Sequence, residues 1–176
     1  MLFRSETGAA QHYRDARITP IYEGTNGIQA IDLVTRKLAA NGAASVWALI
    51  DELSATVKQV EASNDPAFGT SGAKLREALE ALTRSSKWLL ERVASAPNEA
   101  LAGATPYLQQ FGSTLGGCML ASEALAAKAD GNTDASRYVS LARFFAENIT
   151  VQAGALERTV TESAESVAAA DAVLLG

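Results

Sequence analysis

Apolar side chains recur at helical spacing along most of the chain, which predicts helices with one buried face. Four long helices follow from this spacing, over residues 45–62, 71–94, 106–129 and 134–156. The predicted inward positions are Val46, Ile50, Leu53, Val57 and Val60 in the first helix, Leu75, Leu79, Leu82, Leu89 and Val93 in the second, Leu108, Phe111, Leu115, Cys118, Ser122 and Leu125 in the third, and Tyr138, Leu141, Phe145, Ile149, Gln152 and Leu156 in the fourth.

Short polar segments rich in Gly, Pro and Asn separate these helices. Breaks are predicted at 41–42, 64–69, 96–98 and 131–132. Because short loops join neighbouring antiparallel helices, the pattern predicts an all-α, up-and-down antiparallel bundle of about four helices. Shorter helices are predicted over 5–16, 26–40 and 161–174.

Three features refine this bundle. Gly112, Gly116 and Gly117 lower helix propensity in the third helix, which favours close approach of a neighbouring helix there. Trp47 and Trp88 lie off the apolar stripes and are candidates for an edge or an interface. In the second of the shorter helices, Ile28, Ile31, Val34 or Thr35, and Leu38 are expected to face inward.

The pair Asn41-Gly42 divides the chain. An Asn-Gly pair after the last apolar position is typical of a helix end. We therefore predict one unit over residues 1–42 and a helical bundle over residues 43–176.

Composition and charge limit the classes of partner and site that we expect for this chain. The chain has a formal net charge of −5 and a pI of about 4.9, which argues against nucleic acid. Its single cysteine, Cys118, rules out an internal disulfide and suggests a reducing, cytoplasmic setting in which it is a buried small hydrophobe. Its single histidine, His12, leaves no histidine-based metal set and is expected on a helix face. The uncharged segment 100–122 contains a proline and several glycines, so we expect a buried helix rather than a membrane span.

One stretch, residues 18–29, has the composition of a chemical site. Pro20 favours extended backbone, and Gly24 directly after Glu23 allows a turn or a close approach of a ligand. Thr25 and Asn26 are both good N-cap residues, and Asn26 with Gln29 has capping-box spacing. This places a carboxylate beside the positive end of a helix, where its simplest role is to stabilise the helix dipole.

A longer resemblance gives that carboxylate a chemical role. The segments QHYRDARI (11–18), YEGTNGIQ (22–29) and DLVTRKL (32–38) resemble the C-terminal signature of acyl-CoA dehydrogenases, over about 30 residues in one register. The Ala-rich helical remainder resembles the extra C-terminal domain of larger bacterial members. The resemblance implies that the chain is the tail of a longer enzyme, although residues 1–5 fit neither that pattern nor a signal peptide.

The resemblance implies a role for each matching residue. Glu23 would be the catalytic base, which removes the α-proton of an acyl-CoA while hydride passes to FAD and the 2,3-enoyl-CoA forms. Gly24 and Tyr22 would contact the acyl-CoA substrate. Thr25, Asn26 and Gly27 would contact FAD at the helix start.

The same resemblance implies partners and limits. Electron-transfer flavoprotein would be the electron acceptor, and a homo-oligomer is expected. Arg14, Asp15 and Arg17 could either hold the catalytic loop or form a solvated charge cluster. Without the flavin-holding domains we expect no turnover from these 176 residues alone. The alternative function is a helical assembly or interaction module with a non-functional catalytic loop.

Overall fold

A computed structural model describes residues 8–19 and 25–174 of the chain. All regular secondary structure in this part of the chain is helical, which confirms the predicted all-α class. The helices are α1 (Ala9–Ile18), α2 (Asn26–Asp32), α3 (Ala44–Ala62), α4 (Ser71–Ser95), α5 (Pro97–Ala102), α6 (Ala104–Ala129), α7 (Ala135–Asn148), α8 (Ala153–Glu162) and α9 (Ala164–Leu174). A π-helical turn (Leu33–Lys37) follows α2, and 3₁₀ turns span Ala40–Ala43, Pro66–Phe68 and Thr150–Gln152.

Helices α4 and α6 form the central pair of the bundle. Helix α3 packs on both from one side, and α7 and α8 pack on both from the other. Ser86 of α4 lies against Tyr107 of α6, and Leu75 lies close to Gly117, so α4 and α6 run antiparallel.

The fourth long helix is broken, which corrects the predicted continuous helix over 134–156. Helix α7 ends at Asn148, and α8 begins at Ala153 after a 3₁₀ turn. In this turn, the buried Thr150 donates its hydroxyl hydrogen to the Phe145 carbonyl at 3.2 Å. Side-chain hydrogen bonds of this kind compete with the regular helical ladder.

The predicted inward faces of α3 and α4 are confirmed. All five predicted α3 positions are buried, and so are four of the five in α4, with Val93 half-buried. Trp47 and Trp88 are half-buried and pack against the edge of the core.

The predicted inward face of α6 is confirmed in part. Cys118 is buried, and Leu108, Phe111, Leu115 and Leu125 are half-buried and pack against the core, whereas Ser122 is exposed. As a central helix, α6 has neighbours on two sides, and small side chains let these neighbours approach closely. The buried residues of α6 are Ala104, Tyr107, Gln110, Thr114, Gly117, Cys118, Ala121, Ala124 and Ala127.

The prediction for the fourth stripe is also confirmed in part, since Tyr138, Phe145, Ile149 and Leu156 are half-buried. Val139, Ala142 and Ala146 are the buried residues of α7, whereas Leu141 is 50% exposed. Gln152, predicted inward, is also exposed. Small residues again take the inner face because α7 packs tightly on α6.

Close approach of helices occurs at Gly117. A Cβ at Gly117 would lie 2.7 Å from Thr150 Oγ1 and 2.8 Å from Leu75 Cδ2. At Gly116 the Phe145 ring would be 3.5 Å away, and at Gly112 nothing lies within 4 Å. The predicted approach is thus confirmed at one of the three glycines, where α4, α6 and the turn before α8 meet.

The predicted break at Asn41-Gly42 is present. Asn41 and Gly42 have φ values of 53° and 66°, in the left-handed region. The preceding helix departs from the predicted α-helix over 26–40, because Leu38 N donates to Leu33 O at 2.8 Å in a wide turn. Ala30, Val34 and Leu38 are buried in the same core as the bundle residues. The division into units at residues 42 and 43 stays a prediction.

Glu147 connects α7 to the start of α4. Its Oε1 accepts from Thr70 N at 2.9 Å and from Thr70 Oγ1 at 3.0 Å, and Arg143 Nε lies 3.1 Å away. The Thr70 backbone N–H is the main cause that lowers the pKa of Glu147, and the Arg143 and Thr70 side chains add to it. Asp65, in the same loop before α4, pairs with Lys128 of α6.

Replacing Gly117 with valine should destabilise the bundle by about 1–3 kcal/mol, because the added atoms overlap Thr150 and Leu75. Urea unfolding followed by circular dichroism measures the change. The matched control is Gly112→Ala, where open space should leave a gain of about 0.5–1 kcal/mol from helix propensity. Equal effects of the two substitutions would contradict the close-approach interpretation.

The contacts of the Glu147 carboxylate with Thr70 and Arg143 should make the free energy of unfolding depend on pH. Because the pKa of this group is lowered in the folded chain, its stabilisation is present above the ordinary glutamate pKa and is lost as pH falls through the folded value. Glu147→Gln should therefore lower the urea midpoint at pH 7 and lose this effect in acid. Glu123→Gln, at an exposed carboxylate of α6, is the control and should show no such dependence.

Candidate functional site

Helix α1 precedes the candidate loop and lies on the surface. None of its residues is buried, and it begins after Gly8, whose φ of 77° suits a glycine. Arg14 donates to Gln11 at 2.8 Å, and Arg17 donates to the Tyr13 hydroxyl at 3.0 Å. Asp15 accepts from Gln11 at 2.7 Å. Whether the charged residues of α1 also hold the candidate loop stays a prediction, because residues 20–24 lie outside the described residues.

Three of the predicted site residues, Tyr22, Glu23 and Gly24, lie outside the described residues. The assignment of Glu23 as the base and those of Tyr22 and Gly24 as substrate contacts therefore stay predictions. The described chain resumes at Thr25, so the residues that follow the candidate base can be placed.

Thr25 is the N-cap of α2. Its backbone is extended, with φ −71° and ψ 157°, and its carbonyl accepts from Gln29 N at 3.0 Å. Its Oγ1 accepts from Ile28 N at 3.5 Å, a long bond. Of the two N-cap candidates, Thr25 is confirmed, and Asn26 is the first helical residue. The predicted capping box of Asn26 with Gln29 is therefore wrong, because its first member already lies inside the helix.

Asn26 and Gly27 are exposed in the first turn of α2. Their backbone N–H groups belong to the helical turn that has no intrahelical acceptors, at the positive end of the helix dipole. Among the described residues, a Cβ at Gly27 would meet only Thr25 Oγ1, at 3.9 Å, so these residues leave space beside it. The N–H groups, the Asn26 amide and this space suit the polar groups of a cofactor such as FAD.

The outward face of α2 is apolar, which corrects part of the sequence prediction. Val34 and Leu38 are buried as expected, but Ile28 and Ile31 are 57% and 41% exposed. Helix α2 packs on α6 through the side that contains Ala30, so both isoleucines lie on the other side.

The turn after α2 contains a charged cluster that sequence reasoning missed. Asp32 accepts from Arg36 Nε at 2.6 Å and from Arg36 Nη2 at 2.9 Å, and Lys37 Nζ lies 3.3 Å from the same carboxylate. The hydrogen bond from Arg36 is the main cause that lowers the pKa of Asp32. An acidic residue followed by basic residues four and five positions later was the signal in the sequence.

An apolar hollow adjoins this turn. Its wall is formed by side chains of the turn, of α3 and of α6, with two polar residues at the rim. The lining residues are Leu33, Lys37, Leu38, Ser45, Val46, Leu49 and Phe111. The hollow connects the end of the candidate-site helix with the bundle.

The buried titratable groups are unsuited to nucleophilic chemistry. Desolvation raises the pKa of Cys118 to about 12, which confirms the prediction of a buried hydrophobe. Desolvation likewise raises the pKa of Tyr107 to about 12, and its hydroxyl lies 2.8 Å from Ser86 Oγ. Among residues 8–19 and 25–174 no group of histidine, cysteine and carboxylate side chains could hold a metal ion. The same residues include no helix with the length and hydropathy of a membrane span.

Known proteins resemble the chain over most of its length. Residues 49–171 match the family described as acetyl-CoA dehydrogenase C-terminal like. A 3-methylmercaptopropionyl-CoA dehydrogenase of Ruegeria pomeroyi is 34% identical over 172 residues, which cover 95% of this chain and 29% of that protein. The chain thus spans less than a third of the length of this relative. By the family match and this relationship, the chain belongs to the acyl-CoA dehydrogenase family and contains its C-terminal-like helical domain.

Proposed function

We propose that this chain is the C-terminal part of an FAD-dependent acyl-CoA dehydrogenase, which oxidises an acyl-CoA to its 2,3-enoyl-CoA. The observation that supports this most is the position of Glu23 two residues before Thr25, the N-cap of α2, in a chain of this family. The family relationship supports the reaction class, and the motif supports the individual residues.

In this proposal Glu23 is the general base. Its carboxylate takes the proton from the carbon next to the thioester carbonyl, and the electron pair of that C–H bond becomes part of the new double bond. A carboxylate in an apolar, water-poor site is a stronger base than one in water, because desolvation raises its pKa. FAD, when bound, accepts the hydride from the neighbouring carbon.

The residues beside Glu23 hold the reactants. Thr25, Asn26 and Gly27 bind polar groups of FAD with the donors of the first helical turn. Gly24 lies against the acyl-CoA, where a missing side chain leaves room for the thioester, and Tyr22 lines the acyl pocket.

The rest of the enzyme covers the outward face of α1 and α2. Ile28 and Ile31 are exposed, and so are Tyr13 and Ile18, at 63% and 58%. Exposed large apolar side chains on each of these helices favour contact with another part of the enzyme. The much greater length of the Ruegeria relative supports a larger body that supplies most of the flavin site.

The wider assignment follows from this reaction class. Electron-transfer flavoprotein is the proposed electron acceptor, and the enzyme is proposed to be a cytoplasmic homo-oligomer. The acidic pI supports the absence of nucleic acid among its partners.

A second candidate function is that of an assembly module. Leu141, Phe144 and Val151 lie on the outer side of α7 and the turn after it, with 50%, 57% and 45% exposure. These apolar side chains favour contact with the dehydrogenase body or with a second subunit. A clean monomer of the full-length protein in gel filtration would count against contact with a second subunit.

Glu23→Gln in the full-length protein should lower kcat by about 10²- to 10⁴-fold, because the amide cannot accept the α-proton. Anaerobic flavin bleaching by an acyl-CoA measures the step. Glu52→Gln, at an exposed carboxylate of α3, should retain the full rate. An unchanged rate in Glu23→Gln would discard the proposed base and favour the module with a non-functional loop.

The 176-residue chain alone should bind no FAD and show no turnover. The described residues of the first turn of α2 offer few polar groups, and these are exposed to solvent, so they should not retain FAD by themselves. Visible absorbance of the purified chain after gel filtration with FAD measures retention. A yellow protein with flavin in stoichiometric amount would contradict the proposal that other parts of the enzyme supply the flavin site.

A further inference from the structure

The Asp32 cluster has the geometry of a π turn rather than that of an α-helix. With 3.6 residues per turn, residue i+5 of an α-helix lies about 140° around the axis from residue i. Here the carboxylate of Asp32 reaches Arg36 at i+4 and also Lys37 at i+5, within 3.3 Å. The wide turn, closed by the bond from Leu38 N to Leu33 O, brings both cations to one side.

The contact with Arg36 is of the stronger kind. Its guanidinium binds both carboxylate oxygens, at 2.6 and 2.9 Å. Most surface ion pairs contribute little, but bidentate arginine pairs and charge networks are the exceptions. Because residues i and i+5 lie about 140° apart in a regular α-helix and closer together in the wide turn, the Lys37 contact favours the wide turn.

The π turn lies between two contacts of this segment with the core. Before it, Ala30 is buried against α6. Within and after it, Val34 and Leu38 are buried, with 0% and 2% exposure, and cannot rotate without disrupting the core. At the start of α2, beyond Ala30, Thr25 and Asn26 are exposed. Since each residue of an α-helix adds about 100° of rotation, a change from the wide turn to a regular one would turn the N-terminus of α2 to a different direction.

We propose that Asp32 is a positioning residue of the dehydrogenase, which holds the π turn with Arg36 and Lys37 and so orients Thr25 and the preceding base. This inference rests on the proposed function, in which Glu23 is that base. Asp32 itself contacts no substrate in the proposal.

The test is Asp32→Asn in the full-length enzyme. We expect kcat to fall by about 10- to 100-fold, since small displacements of a catalytic group have effects of this size. Hydrogen exchange at the Leu38 amide, read by mass spectrometry on the peptide over 33–40, should become faster by about 3- to 10-fold, because the π bond opens more often.

Two variants complete the design. Lys37→Gln removes only the contact that needs the wide turn, so it should change both readouts in the same direction but less. Asp51→Asn, an exposed carboxylate of α3, is the matched control and should change neither.

The possible results separate this inference from the proposed function. Full kcat in Asp32→Asn, with activity lost in Glu23→Gln, would overturn the positioning role and leave the proposed base in place. A lower kcat without faster exchange at Leu38 would also overturn the positioning role, because Asp32 would then affect catalysis without changing the π turn. Full activity in Glu23→Gln would remove the proposed function itself.

Discussion

The close contact of α4, α6 and the turn before α8 at Gly117 is the constraint on which the bundle depends. A Cβ at Gly117 would overlap the side chains of Thr150 and Leu75, so these two side chains lie directly against the backbone of α6. Small residues on α6 and α7 continue the contact in both directions. As a result, α4 and α6 form a central pair with helices on both sides, and large apolar residues such as Leu108 and Leu141 move to the edges or the surface.

The central pair also determines how the candidate site is attached. Helix α2 packs on α6 through Ala30, and Val34 and Leu38 enter the common core. The helix is therefore held near its C-terminal end, while Thr25 and its exposed neighbours stand outside the bundle. The π turn lies between the buried Ala30 and Leu38, so the geometry of this turn and the packing of the bundle together set the direction of α2.

Sequence reasoning succeeded where large apolar residues form the buried face. Helices α3 and α4 have such faces, and the predicted positions are buried except Val93, which is half-buried. It succeeded only in part on α6 and α7, because hydrophobic spacing weights large residues and most buried positions there are small or polar. In the site, the N-cap at Thr25 was predictable from its side chain, but the outward direction of Ile28 and Ile31 was not, since it depends on where α6 lies.

The sequence by itself determined the helical class, the breaks at Asn41-Gly42 and before α4, and the motif that resembles the signature of acyl-CoA dehydrogenases. These follow from local backbone preference and from residue order, which act over a few positions. Only the tertiary structure decided which side of α6, α7 and α2 is buried, and that Asp32 meets both Arg36 and Lys37. Those features depend on neighbouring helices and on the wide turn that joins α2 to the core, and no local preference specifies them.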